Sequence, residues 1–318
     1  MGESTAISWT DSTWNPVRGC SRVSAGCQNC YAESVARRFS GPGLAYEGLV
    51  NQHGRWNGVI RVVESHLADP LRWQKPRRIF VNSMSDLFHE NLADEDIASI
   101  YGVMLLAAQH TYQVLTKRPE RMRDFFKRWS VDDCIWMLAS RYRTPGPKKH
   151  NNPPRRDWFN VESWPVPWIW HGVSVEDQRV IDRARTLFDV PSVIRFLSIE
   201  PMIGEVDLTD VIADQACRQG KLWVIAGCES GHGARPCDFR WVRRIRDQCI
   251  AAGHAFFLKQ LEPDHEATTS NCGGGPAILN TVIEGPGSWL KGRVIELPYL
   301  DGVQHMAFPE IPYARPIP

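Results

Sequence analysis

Short apolar runs alternate with stretches of helical spacing through most of the chain. Arg78-Ile79-Phe80-Val81-Asn82 reads as a buried strand ending at Ser83. Behind it, Ile97, Ile100, Tyr101, Met104 and Leu105 recur at helical spacing between Asp94 and Gln109. Tyr112 to Thr116 gives the next strand, and Pro119 suits the first turn of a following helix, where its missing N–H is not needed. Trp168 to Ser174, Val193 to Ile199, Leu222 to Ala226 and Ala255 to Leu258 complete the set. Helices through Leu187 and from Asp238 to Ala252 lie between them. Thr13 to Val17 is an earlier strand, interrupted by Pro16, which cannot donate to a ladder.

Such alternation predicts parallel strands with right-handed crossovers. Counting the first, these strands predict an α/β fold, a partial (β/α) barrel over residues 1–262. No G-x-G-x-x-G follows the first strand, so a dinucleotide fold has no support. Three segments break the alternation: a Gly-rich excursion from Ser40 to Val59, a Pro-rich basic insertion at 140–167, and residues 263–318, which predict an irregular C-terminal extension.

Composition narrows the classes. With 318 residues and 43% hydrophobic side chains the chain can bury a large core, and its net charge of +1 creates no global pull toward nucleic acid or membrane. The opening Met1-Gly2-Glu3-Ser4-Thr5 is polar and no apolar run approaches membrane-spanning length, so no membrane and a cytoplasmic location are expected. Nine cysteines, an odd number, argue against a disulfide framework. Most of the scattered ones (Cys134, Cys217, Cys228, Cys237, Cys249 and Cys272) read as small buried apolar residues. Charge is uneven: twelve basic residues stand against four acidic ones between Thr116 and Arg156. A solvated face explains such a run, and a phosphate-contacting surface is the functional alternative. The 13 tryptophans read chiefly as packing, with Trp9, Trp14, Trp73, Trp168 and Trp170 in or beside core elements.

The chemistry gathers where strands end. Cys20, Cys27 and Cys30 form C-x6-C-x2-C just after the first strand. Three thiolates can hold an iron–sulfur cluster and leave one iron open; zinc with a fourth ligand and purely structural thiols are the other readings of that spacing. The later strands end in Asn82-Ser83-Met84-Ser85-Asp86, Thr116-Lys117-Arg118, Ser174 with Glu176 and Asp177, Glu200-Pro201, Gly227-Cys228-Glu229-Ser230-Gly231, and Lys259-Gln260. Parallel barrels carry their chemistry at these ends. Helix capping accounts for Ser85, Asp86, Ser174 or Asp177, but not for Lys117, Glu200 or Lys259.

These motifs resemble the phage-associated three-cysteine-motif family, over roughly residues 6–262. The likeness runs from Trp9-Thr10-Asp11 and Trp14-Asn15-Pro16 through Cys30-Tyr31-Ala32-Glu33. It continues in Asn82 to Phe88, Leu115-Thr116-Lys117-Arg118-Pro119, Gly227 to Gly231, and Phe257-Leu258-Lys259-Gln260. That family is itself similar to radical S-adenosylmethionine (SAM) enzymes, and the Ser-x-Ser-Asp, Thr-Lys and Val-Ser elements look most like those of spore photoproduct lyase. The resemblance implies a [4Fe–4S] cluster on Cys20, Cys27 and Cys30, with SAM on its open iron. Reductive cleavage would give methionine and a 5′-deoxyadenosyl radical that abstracts hydrogen from the substrate. Lys117 and Ser174 would contact SAM, with Ser83, Ser85, Asp86 and Glu229 as further cofactor-binding candidates. Cys228, Glu200 and Lys259 are the catalytic candidates, Cys228 as a redox-active thiol or hydrogen-atom donor. An electron donor such as flavodoxin or ferredoxin is implied as partner, and a nucleobase or nucleotide in DNA as substrate. Two departures stand out: the first cysteine gap is six residues rather than three, and Asn29 precedes the last cysteine where an aromatic residue is usual. The alternatives are a non-enzymatic zinc or nucleic-acid-binding module, and a degenerate barrel acting as a partner-binding protein.

Overall fold

The structure, a computed structural model, describes residues 5–142, 163–217, 221–231, 233–262, 282–283, 289–291 and 294–310. Among the described residues one sheet holds nine strands. In chain order they are β1 (Ser12–Trp14), β2 (Arg78–Val81), β3 (Thr111–Thr116), β4 (Ile169–Ser174), β5 (Ile194–Ile199), β6 (Lys221–Gly227), β7 (Ala255–Leu261), β8 (Trp289–Lys291) and β9 (Val294–Glu296). Strands β1 to β7 lie side by side in sequence order, each parallel to its neighbour. Strand β9 adds antiparallel to β7, and β8 to β9. The result is a mixed α/β fold on a curled, mostly parallel half-barrel, with β1 and β8 as its edges.

Alternation along the strands builds two apolar layers. Leu222, Val224 and Ala226 of β6 face helices, among them α2 (Asp94–Leu106), α3 (Pro119–Arg128) and α4 (Phe239–Ala251), in the larger core. Trp223 and Ile225 face the other way, joining Trp9, Phe80, Trp170, Phe196 and Phe257 in a second cluster that, among the described residues, no helix enters. Those aromatics fill the concave side. Trp9, Trp14, Trp170 and Trp223 are buried, while Trp73 and Trp168 pack against the core from part-exposed positions.

The elements begin and end for local reasons. Parallel pairing of β1 stops at Trp14, and past Pro16 the pair Val17–Arg18 forms a short antiparallel ribbon with Arg61–Val62 instead. Pro119 opens α3, Ser130 and Asp133 close a capping box on the helix Val131–Arg141, and Asp238 caps α4 through the Arg240 N–H.

Part of the C-terminal segment expected to be irregular is regular. Besides β8 and β9, Val282–Ile283, Tyr299–Leu300 and Val303–Gln304 form a small antiparallel sheet. Ala307 N–H donates to Phe256 O, and Trp223 Nε1 donates to Ala307 O at 2.9 Å. Phe308 packs on Trp223 and Phe257. The segment therefore covers the open edge of β7 and helps fill the concave side. The central part of the Pro-rich insertion, 143–162, lies outside the described residues. Among the described residues no helix is long and apolar enough to cross a membrane.

Candidate functional site

The concave face changes character along each strand. Phe196 is followed two residues on by Ser198 and then Glu200, Trp170 leads to Ser174, Leu115 to Lys117, and Phe257 to Lys259. Period-two alternation keeps each series on one face, so the apolar floor gives way to polar groups at the C-terminal strand ends. Those groups line a cavity of about 770 Å³, and Cys20, Cys27 and Cys30 line it with them. Every residue expected at the site reaches this one cavity: Ser83, Ser85, Asp86, Lys117, Ser174, Glu200, Cys228, Glu229 and Lys259.

The cysteine loop is held from several sides. Gly19 has φ +96°, and a Cβ there would stand 2.1 Å from Val59 O, so only glycine fits before Cys20. Gly26 N–H donates to Glu176 Oε1 at 3.2 Å, and a Cβ on Gly26 would press on that carboxylate. Asn29 Nδ2 donates to Glu229 Oε2 and to Gly233 O, each at 2.9 Å. Arg235 binds the same carboxylate and donates to Ala25 O at 3.0 Å. Tyr31 gives its hydroxyl proton to Ser83 O, and Ser85 Oγ donates to Val17 O at 3.0 Å. The Gly-rich excursion packs Tyr46, Leu49 and Trp56 against the helix α1 (Tyr31–Arg38), with Cys20 and Cys30 at the margin of that cluster.

These contacts sort the expected cofactor-binding residues. Lys117 Nζ donates to Ser174 Oγ at 3.1 Å, and among the described residues no carboxylate pairs with that ammonium. Asp86 is committed: it accepts from Thr116 Oγ1, Lys117 N–H, Phe88 N–H and Arg118 Nη1. Glu229 is committed likewise, and its ties to Arg235 and Asn29 outweigh burial and hold its pKa low. Asp86 and Glu229 therefore brace the site, while Lys117 and Ser174 face the cavity with capacity to spare. Glu200 and Lys259 form a largely buried ion pair on the cavity wall. Burial opposes the Lys259 ammonium, yet Glu200 outweighs it and keeps the lysine pKa raised. Cys228 is fully buried, and burial pushes its thiol pKa up, so it stays protonated.

The three loop cysteines are free thiols. Burial, with the neighbouring Asp86 carboxylate and the other two cysteines, pushes Cys20 up to about 12, and burial raises Cys30 as well. As ligands these thiols need a strongly positive centre to displace their protons. A single zinc ion would draw its sulfurs to about 2.3 Å from one point. Among the described residues no group of three or more His, Cys, Asp and Glu side chains is placed to hold a metal ion. A cubane asks something different, one thiolate on each of three irons. Three thiols on one cavity wall suit that donor set in kind.

Some of the site was not assigned from sequence. Ser198 could have been found by stepping back two residues from Glu200. Asn15, whose Oδ1 accepts from Ser83 Oγ and Met84 N–H, stood only within the Trp14-Asn15-Pro16 motif, and Glu176, which anchors a loop far away in sequence, stood beside Ser174 at a strand end; neither was given a role there. In the basic stretch Arg118, Arg121, Arg123, Lys127, Arg128 and Arg141 each meet a carboxylate, so its described part, Lys117 apart, is ion-paired. Cys134, Cys237 and Cys249 are buried as expected, while Cys272 and the Cys217 side chain lie outside the described residues.

Fold and site define an α/β half-barrel protein whose strand ends and cysteine loop share one cavity. The model of the family described as "Protein of unknown function (DUF5131)" matches residues 4–304, and the chain belongs to that family. No curated protein and no solved structure matches it.

Proposed function

We propose that the protein is a radical SAM enzyme. The observation that carries this reading is the convergence of Cys20, Cys27, Cys30 and the Lys117–Ser174 pair on one cavity at the strand ends of a parallel half-barrel. Cys20, Cys27 and Cys30 would hold a [4Fe–4S] cluster, and the bound cluster with SAM would supply reductive cleavage that starts hydrogen abstraction. Lys117 offers an ammonium to the SAM carboxylate, a charge-assisted contact stronger than a neutral one. Ser174 holds that ammonium in place and has lone pairs left for a second contact. The aromatic floor of Trp9, Trp170, Phe196, Trp223 and Phe257 keeps water from entering behind the reacting groups. The buried Glu200–Lys259 pair presents an acceptor and a donor side by side, suited to a substrate edge carrying both. Cys228 borders the cavity while its fully buried side chain packs in the helix-side core, so it backs the wall here.

The test is anaerobic incubation of the reconstituted chain with dithionite and SAM, assayed for 5′-deoxyadenosine. The reading expects product from the parent chain and none from Cys27→Ala. It expects SAM affinity to fall about tenfold or more in Lys117→Met, by loss of a charged hydrogen bond. No 5′-deoxyadenosine from a chain that carries its cluster would overturn it in favour of a degenerate, partner-binding barrel.

A further inference from the structure

Most arginines on the described surface meet a carboxylate, as Arg72, Arg128, Arg179, Arg185, Arg240 and Arg244 do. One region departs from this. Arg18, Arg37, Arg38, Arg55 and Arg61 have no carboxylate partner among the described residues, and all belong to α1, the Gly-rich excursion or the adjoining ribbon. They are also pressed together. Arg18 and Arg61 are register partners across the two-residue ribbon, where like charges directly opposite each other destabilise the pair. The stem of Arg37 lies across Gly54, 2.4 Å from where a Cβ would stand, beside Arg55. The acids nearby do little to offset this: Glu33 is buried and held by Arg22, and Glu47 caps the Gly43 N–H. Arg18 donates to Ala45 O and lies over the Tyr46 ring, and Arg61 donates to Glu47 O, but these neutral partners leave the positive charge uncompensated, and it calls for an anion from outside.

The same region rims the cavity. Tyr31 and Phe39 line it and are 54% and 44% exposed, so it meets solvent between them. A protein docked on this face would close the opening to the substrate. The occupant is therefore better sought in the substrate itself. It is anionic over several positions, with a flat apolar part that can pass Tyr31 and Phe39. A cationic surface interleaved with aromatic rings suits phosphates and bases.

We propose that this face binds a single-stranded nucleic-acid segment, with phosphates on the five arginines and one base passing Tyr31 and Phe39 into the cavity. This deepens the radical SAM reading and rests on it for the fate of the base, but the binding step needs no cofactor.

The test is fluorescence anisotropy with a labelled oligonucleotide of about twelve nucleotides, a length within single-strand site sizes, on the full chain without cluster or SAM. The parent chain is expected to bind, with affinity that falls steeply with salt. Arg37→Glu/Arg38→Glu is expected to weaken binding about tenfold or more and to reduce the salt slope by about one to two. Arg240→Glu, on an exposed arginine that pairs with Asp238 outside this region, is expected to leave binding within about twofold, since it makes no phosphate contact. Arg55→Glu is the second variant should the double one unfold. Absence of binding at low salt overturns the proposal. So does binding that the Arg37 and Arg38 changes leave intact, or preference for an acidic carrier protein over the oligonucleotide. Because no cofactor is present, failure here is distinct from failure of the radical reading.

Discussion

Gly19 sets the limit on how the cysteine loop can leave the barrel. Its positive φ and the Val59 carbonyl against its missing Cβ are both backbone constraints, so no side-chain movement relieves them. Gly19→Ala is expected to cost about 2–4 kcal/mol, the scale of left-handed strain plus a backbone clash, read as a lower urea midpoint. Glu90 makes the loop sensitive to pH. Burial works to raise its carboxyl, but hydrogen bonds from its own backbone, from Arg118 and from Ser21 outweigh it and lower the pKa from 4.5 to about 2. A depressed carboxyl stabilises the fold above its unfolded value and loses that contribution as pH falls toward the folded one. Stability of the parent should therefore decline from about pH 4.5 toward 2, and Glu90→Gln should flatten part of that decline. An unchanged acid limb in the variant would mean the pairing contributes nothing, as happens with exposed ion pairs.

At the scale of elements, the parallel strands were legible because each is a short apolar run followed by a polar residue that can end it. Sequence and structure agree on them to within a few residues, as with β3, expected from Tyr112 and observed from Thr111. The expected first strand splits because Pro16 cannot pair, and Val17 then turns to Val62 across the ribbon. The C-terminal strands escaped notice because two or three residues are too few to show a period. Their regularity comes from the exposed edge of β7, a long-range partner absent from the local sequence. Phe308 fixes this segment by packing on Trp223 and Phe257. Phe308→Ala should destabilise the chain by about 1–3 kcal/mol, less than a fully buried Phe because it is part-exposed. Thermal unfolding measures this, and a neutral result would make the segment an ornament rather than part of the core.

For the whole molecule, the positions of the site residues follow from topology: parallel strands in sequence order bring seven chain segments to one rim. That much could be read from strand ends alone, and Lys117, Glu200 and Lys259 stood out there because capping does not require them. The sequence did not reveal which residues act on a ligand and which hold the frame. Asp86 and Glu229, expected as ligand contacts, are also tied into the frame by Arg118, Arg235 and Asn29, partners that only the folded chain assembles. The excursion looked like an insertion and proves to be the wall beside two of the three cysteines.

The central claim is that those cysteines carry a cubane. The most direct measurement is the iron, acid-labile sulfide and zinc content of protein reconstituted without oxygen, parent beside Cys27→Ala. The account predicts about four irons and four sulfides per chain, the content of one [4Fe–4S] cluster, lost in the variant. A single zinc with no sulfide, or iron content indifferent to Cys27, would contradict it.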